Sequence, residues 1–415
     1  MSLSLSPNGC DVSFELKPIQ EALRDQQIDG WLLYDFRDNN PLARRLLQFP
    51  EGTLGSRRCA YGIPASGTPE KIVHRIEENT LDHLPGTRNV YLRWQEFAAA
   101  MEKFCQGKQR IAMEYAPLAG NPYISRVDAG TVELIRSFGV DVVSSGDLVQ
   151  LFEATCDEAQ WESHQQASLV TNAAFDVAWK KIADAVRNGS GIEEQAVADA
   201  IENYFREQGC VSSHPPIVAR QSHSGLPHYE TGSGEDTLIR ENDFVLIDLW
   251  AKLNQPRSIF SDLTRVGYVG TQVPEKYNQI FRIVAAARDA GIAAIRKAFE
   301  AGQPIRGREV DEIVRAVITD QGYGEFFTHR TGHNIGQDLH GNGAHIDNLE
   351  TRDDRTLIPR TCFSIEPGIY LPEFGIRSEV DVFITADRTV HVTGGLVQQE
   401  VIPILKLIDE RRWPR

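Results

Sequence analysis

Apolar positions along this chain recur with two different periods. In residues 1–155, short apolar runs at 31–34, 61–63, 90–92, 111–114 and 140–143 have the length and the bounding turn residues of strands. Between them, 19–27, 95–105 and 129–138 repeat at helical spacing. Strands alternating with helices predict an α/β domain in which helices pack on a sheet. No catalytic set assembles there; His74 and His83 stand alone in surface-like segments.

A boundary follows. Thr155-Cys156-Asp157-Glu158 has the form of a capping box with Thr155 at the N-cap, and it opens a long helix to about residue 186. Leu169, Ala173, Ala174, Ala178 and Ile182 recur along it near the i, i+4 repeat, and Asn188-Gly189-Ser190-Gly191 ends it. A second helix spans 192–207, and strands follow at 217–219, 244–251 and 262–269. Two more helices, 277–299 and 308–321, precede strands at 362–371, 375–385 and 389–392. A helix pair followed by strands, occurring twice, predicts a second domain over residues 156–415. It is α+β in class: a pseudo-twofold antiparallel sheet covered by helices.

Composition narrows the function classes. With 415 residues, 41% hydrophobic and 24% charged, the chain has ordinary globular usage and room for two cores. The longest apolar run, around 244–251, is broken by Asp248, so no membrane span is expected. The opening MSLSLSPNGCDVSF lacks the basic stretch and apolar core of a secretion signal. Six cysteines are scattered singly with no C-x-x-C, which argues against a disulfide framework and fits a reducing cytoplasm. A net charge of −15 argues against a nucleic-acid partner, since phosphate backbones select a basic face.

The excess of carboxylates matters more where it is local. Asp248 lies in Phe-Val-Leu-Ile-Asp-Leu-Trp, on the same strand face as Phe244, Leu246 and Trp250. A carboxylate there is heavily penalised unless it is paired or binds a cation. Asp262 follows after a connection containing Asn254-Gln255-Pro256, so two antiparallel strands would bring the two aspartates side by side. In Thr331-Gly332-His333-Asn334-Ile335-Gly336 the glycines allow close backbone approach, and His333 projects from a loop or strand end. His329 and His333 do not form a zinc-protease helix pair: Arg330 stands where a catalytic Glu is required, and Gly332 weakens a helix. Glu366 lies just ahead of a Pro-Gly turn, and Arg377, Glu379 and Asp381 alternate onto one strand face. Two Asp, two Glu and one His form a hard, oxygen-rich cage suited to Mn²⁺, Co²⁺ or Zn²⁺ in a two-metal hydrolytic site.

At these residues the chain resembles the pita-bread metallopeptidases, the group of methionine aminopeptidase, prolidase and aminopeptidase P. Phe-Val-Leu-Ile-Asp-Leu, Ser-Asp-Leu-Thr-Arg, Gly-His-Asn-Ile-Gly, Ser-Ile-Glu-Pro-Gly-Ile-Tyr and Arg-Ser-Glu-Val-Asp-Val match that group's metal-site segments in order, over about residues 157–405. The preceding α/β domain is similar to that of the two-domain Xaa-Pro peptidases. The resemblance implies two divalent ions, manganese foremost with cobalt, zinc or iron as alternatives. Asp262 and Glu379 would bridge them, Asp248 would complete one, and His333 and Glu366 the other. It also implies a substrate-contacting His228, a His340 that stabilises the tetrahedral intermediate, and an Arg377 that holds substrate or ligands. Two departures stand near the site: the connection from Asp248 to Asp262 is a few residues longer than is usual in the family, and Trp250 stands where a small residue is common.

The implied activity is hydrolysis of Xaa-Pro bonds in peptides or dipeptides, as an aminopeptidase or a dipeptidase, by hydroxide bridging two metals. Glu366 would shuttle the proton to the leaving nitrogen, and His340, with His228, would donate to the oxyanion, an effect of ~2.7–4 kcal/mol per donor. The alternatives are a creatinase-like C–N hydrolase, disfavoured because all five ligands are present, and a non-catalytic pita-bread binding module. A cysteine nucleophile has no support, since Cys362 falls in a buried strand. Two-domain relatives imply a homodimer.

Overall fold

The computed structural model describes residues 14–409 except Glu51 and Leu54. Cys10 and most of the opening stretch lie outside these residues. Contacts divide the chain into two compact units that meet in sequence at Glu153 and Ala154.

The first unit is built on six strands, β1 (Gly30–Asp35), β2 (Cys59–Pro64), β3 (Glu70–His74), β4 (Thr87–Tyr91), β5 (Arg110–Met113) and β6 (Asp141–Ser144). Their order in the sheet is β4-β3-β2-β1-β5-β6, with β1 antiparallel to β2 and parallel to β5. Both faces are apolar, so both are covered. Trp31 and Leu33 pack with α1 (Leu16–Asp25) and α2 (Pro41–Leu46), while Leu32 and Tyr34 face α3 (Trp94–Cys105) and α4 (Ala129–Ser137). Strand β3 escaped the sequence reading because only Ile72 and Val73 interrupt its polar residues; Lys71 is nonetheless buried, its Nζ donating to the Leu84 carbonyl at 2.7 Å.

The second unit opens with α5 (Glu158–Arg187) and α6 (Glu194–Glu207). The cap differs from the expected one. Asp157, not Thr155, is the N-cap of α5, and the reciprocal partner is Gln160. The stripe also shifts: Leu169 is 69% exposed, whereas Ala174, Phe175, Ala178, Trp179 and Ile182 are buried. Strands β7 (Ile217–Arg220), β8 (Phe244–Leu253) and β9 (Ser261–Tyr268) form the sheet beneath these helices, with β8 antiparallel to both neighbours. The second half repeats the plan, with α7 (Glu275–Glu300) and α8 (Gly307–Asp320) ahead of β10 (Thr361–Ile365), β11 (Gly368–Tyr370), β12 (Gly375–Arg377), β13 (Val380–Ile384) and β14 (Val390–Thr393). The long strands expected at 362–371 and 375–385 are each broken. Glu366-Pro367 interrupts the first and Ser378-Glu379 the second, so that β11 pairs with β12 while β10 pairs with β13.

The even-numbered residues of β8 explain where the site lies. Phe244 and Leu246 run into the core beneath α7 and α8, while odd-numbered Val245, Ile247 and Leu249 pack on α5 and α6. Between the two cores the even face meets the polar end of β12, where Arg377 pairs with Asp248. There it carries Asp248 and then Trp250.

Candidate metal centre

Asp262, His333 and Glu379 bring one ligating atom each to within 4.8 Å of one another, and all three are buried. His333 Nε2 lies 3.4 Å from Asp262 Oδ2 and 3.4 Å from Glu366 Oε1. Asp248 joins them from β8. The ladder sets Asp248 opposite Thr264, and Asp262 opposite Trp250. The two aspartates therefore share a face as diagonal neighbours, one step off the side-by-side pairing expected from the sequence. Asp248 Oδ2 accepts from Arg377 Nη2 at 2.5 Å, and its Oδ1, fully buried, has no hydrogen-bond partner.

Each side chain is positioned by the chain's local folding. The break after β12 lets Arg377 and Glu379 both reach the cluster; Arg377 Nε donates to Thr264 Oγ1 at 2.9 Å, and that hydroxyl donates to Glu379 Oε2 at 2.6 Å. Ser364 on β10 donates to Glu366 Oε1 at 2.9 Å and accepts from the His333 amide at 3.0 Å. His333 can approach β10 so closely because Gly332 has no side chain: a Cβ there would overlap the Ser364 carbonyl. Gly336 does not share that role, since the nearest heavy atom to a Cβ there is 3.8 Å away. Residues 327–346 are not helical, which agrees with the rejected His329–His333 helix pair.

The remaining candidates ring the cluster. The ring of His340 packs edge-on against that of His333, with centroids 4.3 Å apart. Burial of its ring and the nearby Arg330 pull His340 down to about 4, so it is neutral at pH 7. His228 is exposed and acts electrostatically on both Asp248 and His340. Its segment is held from beneath by buried Glu194, which accepts from the Tyr229 hydroxyl at 2.6 Å and the Arg220 amide at 2.7 Å and bonds the His223 ring at 2.8 Å.

Three groups at the site, Tyr370, His329 and Asp381, carry roles that the sequence reading did not assign. Tyr370 OH accepts from Arg377 Nη1 at 3.0 Å and bonds His329 Nε2 at 2.7 Å. His329 Nδ1 in turn bonds the Arg330 carbonyl at 2.7 Å. Burial drives His329 to about 3, which fixes it as a neutral ring with Nδ1–H donating and Nε2 accepting. Asp381, fully buried behind the cluster, accepts from Ser261 Oγ at 2.8 Å and from the Asp262 amide at 3.1 Å. Its alternation with Glu379 was a visible signal; its backward orientation was not. Cys362 lies 3.9 Å from His164 Nε2, and burial pushes its thiol well up, which leaves it inert.

The electrostatics explain what such a set is for. Burial, followed by the mutual repulsion of the carboxylates, raises Asp262 and Glu379 well above the usual range. Burial likewise pushes Glu366 up to about 7 and Asp248 upward. Arg377 supplies the compensating charge: burial opposes it, but Tyr370, Asp248, Glu366 and Glu379 together hold it firmly protonated. One guanidinium does not neutralise four carboxylates. A hard divalent cation among Asp262, His333 and Glu379 would supply most of the missing positive charge, and the unpartnered Asp248 Oδ1 has the chemistry of a further oxygen ligand.

Comparisons with other proteins agree with this chemistry. The chain is 34% identical over 256 residues to the uncharacterised peptidase YqhT of Bacillus subtilis, covering 61% of this chain and 67% of that one. It is 32% identical over 228 residues to an Xaa-Pro dipeptidase of Pyrococcus furiosus, covering 54% of this chain and 60% of that relative's length. Among solved structures, the dipeptidase PepE of Mycobacterium ulcerans aligns over 93% of this chain and 96% of its own, with a TM-score of 0.65 at 21% identity. A prolidase of Thermococcus sibiricus aligns over 95% and 100% with a TM-score of 0.60 at 23% identity. These likenesses carry the two-part fold expected from the sequence, an α/β unit followed by a pita-bread unit. The model of metallopeptidase family M24 matches residues 162–386, more than half of the chain and a span that holds all five candidate ligands, and the chain belongs to that family.

Proposed function

We propose that this chain is a divalent-metal-dependent peptidase that cleaves Xaa-Pro bonds, with dipeptides among its substrates. The observation that carries the reading is the convergence of Asp262, His333 and Glu379 within 4.8 Å, with Glu366 3.4 Å from His333 and Asp248 on the same sheet face. Relatives described as Xaa-Pro dipeptidases, at about 32% identity, support the imide preference. Asp248, Asp262, His333, Glu366 and Glu379 would hold two divalent cations, manganese foremost. Bound there, such cations would supply Lewis acidity toward a peptide carbonyl and toward water.

The chain's own groups then have distinct tasks. Glu366, 3.4 Å from His333 within the cluster, is placed to take a proton and to pass it to a leaving nitrogen. Neutral His340 presents an N–H to the oxygen on which charge develops, with His228 as a second donor from the solvent side. Arg377 orients Asp248 through the 2.5 Å contact, and its charge works against the burial that raises the Asp248 carboxyl. Its link through Thr264 to Glu379 couples the two halves of the unit.

The test is cleavage of Xaa-Pro and Xaa-Pro-Yaa peptides after chelation and re-addition of Mn²⁺, Co²⁺, Zn²⁺ or Fe²⁺ singly. Activity should vanish on chelation and return with at least one metal. Asp262→Asn should abolish it in a folded protein. Turnover unchanged in that variant would remove the metal mechanism.

A further inference from the structure

The even face of β8 carries one more side chain beside the candidate ligands, and the chemistry above leaves it without a task. Trp250 stands two residues beyond Asp248 and directly across the ladder from Asp262. The residue is 9% exposed, and its indole Nε1 donates to Ser213 Oγ at 3.2 Å. Behind it lie Ile259, Phe260 and Ile335, with Leu339, the neighbour of His340, packed on the same cluster.

Ile259 and Phe260 come from the long connection between β8 and β9, and that connection is fastened at several points. The Ile259 amide donates to Ser163 Oγ at 3.1 Å, and the Phe260 amide donates to the Gly336 carbonyl at 3.1 Å. The Phe260 carbonyl accepts from the buried His164 ring at 2.7 Å, and Arg257 pairs with Asp157 at 2.5 Å. The connection is thus a buttress rather than a mobile flap. An indole backed by anchored apolar groups and pinned at its edge by a hydrogen bond cannot swing aside without opening a void or losing that bond.

We propose that Trp250 is a specificity-determining residue: its indole is a fixed apolar wall on the Asp262 side of the cleft that excludes bulky side chains from the substrate residue lying there. The inference rests on the peptidase reading of the site. A rigid wall discriminates by volume, and a single methylene in such a pocket commonly changes kcat/KM by about tenfold or more. Trp250 holds no ligand position, so widening the wall leaves the metal set in place.

The experiment uses the full-length, metal-loaded protein and two dipeptide series: Ala-Pro, Leu-Pro and Phe-Pro, then Ala-Ala, Ala-Leu and Ala-Phe. In Trp250→Gly, the ratio of kcat/KM for the Phe-containing to the small peptide should rise about tenfold or more in one series, with metal content unchanged. Trp250→Phe should give a smaller rise. Ratios within twofold of wild type in both series overturn the proposal. If Trp250→Gly does not fold, Trp250→Leu and Ser213→Ala carry the same test, the latter freeing the indole edge without altering the apolar cluster. Calorimetric binding of the same dipeptides reads the discrimination without turnover. A protein that binds but does not cleave, with Trp250-dependent ratios, refutes the peptidase reading and keeps the wall; one that neither binds nor cleaves any of them refutes both.

Discussion

Asp381 shows how much of this site depends on residues that cannot touch a substrate. Its carboxylate faces away from the cluster, takes the Asp262 amide and the Ser261 hydroxyl, and lies 3.9 Å from His164 Nε2. It therefore sets the direction in which Asp262 leaves its strand. Burial raises Asp381 to about 8 and lowers His164 to about 4, so neither needs to carry charge in the folded core at neutral pH. Removing this carboxyl leaves the Asp262 amide and the Ser261 hydroxyl without this acceptor. Outer partners of metal ligands are commonly worth about 10–100-fold in metal affinity. Asp381→Ala should lower Mn²⁺ affinity by that order in a protein that remains folded, as measured by calorimetric titration; equal affinity would show that Asp262 is oriented by its strand alone.

At the scale of elements, the segment carrying His333 is held by backbone fit rather than by secondary structure. Asn334–Ile335 pairs briefly with β10, and the Gly332 amide and carbonyl both exchange hydrogen bonds with Ile346, at 3.2 and 3.0 Å. The two glycines four residues apart look equivalent in the sequence, but the structure separates them. A methyl at Gly332 would collide with the Ser364 backbone, whereas one at Gly336 makes only an ordinary 3.8 Å contact with the Asp338 carbonyl. Gly332→Ala should lower the melting temperature by several degrees and weaken metal binding, because His333 is displaced with the backbone; Gly336→Ala should do neither. Thermal melts of the two variants with and without metal decide it. Equal behaviour would mean that β10 yields easily.

For the whole molecule, the cores separate along the chain as the contacts do. The clusters around Trp31 and Phe97 belong to the first unit, and those around Phe281, Phe205 and Phe260 to the second. Units with separate cores need not unfold together. Metal held by the proposed ligands would bind only the native second unit, and a ligand at a hundred times its Kd stabilises by about 2.7 kcal/mol. Scanning calorimetry should resolve two transitions, with Mn²⁺ raising one and leaving the other in place. A single transition that shifts as a whole would mean that the two units unfold cooperatively. Among the described residues no helix is long and apolar enough to cross a membrane.

The sequence alone determined the kinds of groups at the site and their order. Strand alternation put Asp248 on a face with Phe244 and Trp250, and helix periodicity marked the paired helices of each half. These properties follow from backbone periods of two and 3.6 residues, which act over a few neighbours. The extra connection and Trp250 were visible too, as departures without a consequence attached. Tertiary structure decided the rest: the diagonal offset of the two aspartates, the breaks that send Arg377 and Glu379 into one cluster, and the backward turn of Asp381. It also joined His329, Tyr370 and Arg377 into one line of hydrogen bonds. Each of these is a contact between segments far apart in the chain. Its geometry is set by which sheet edge meets which, and no local spacing encodes that.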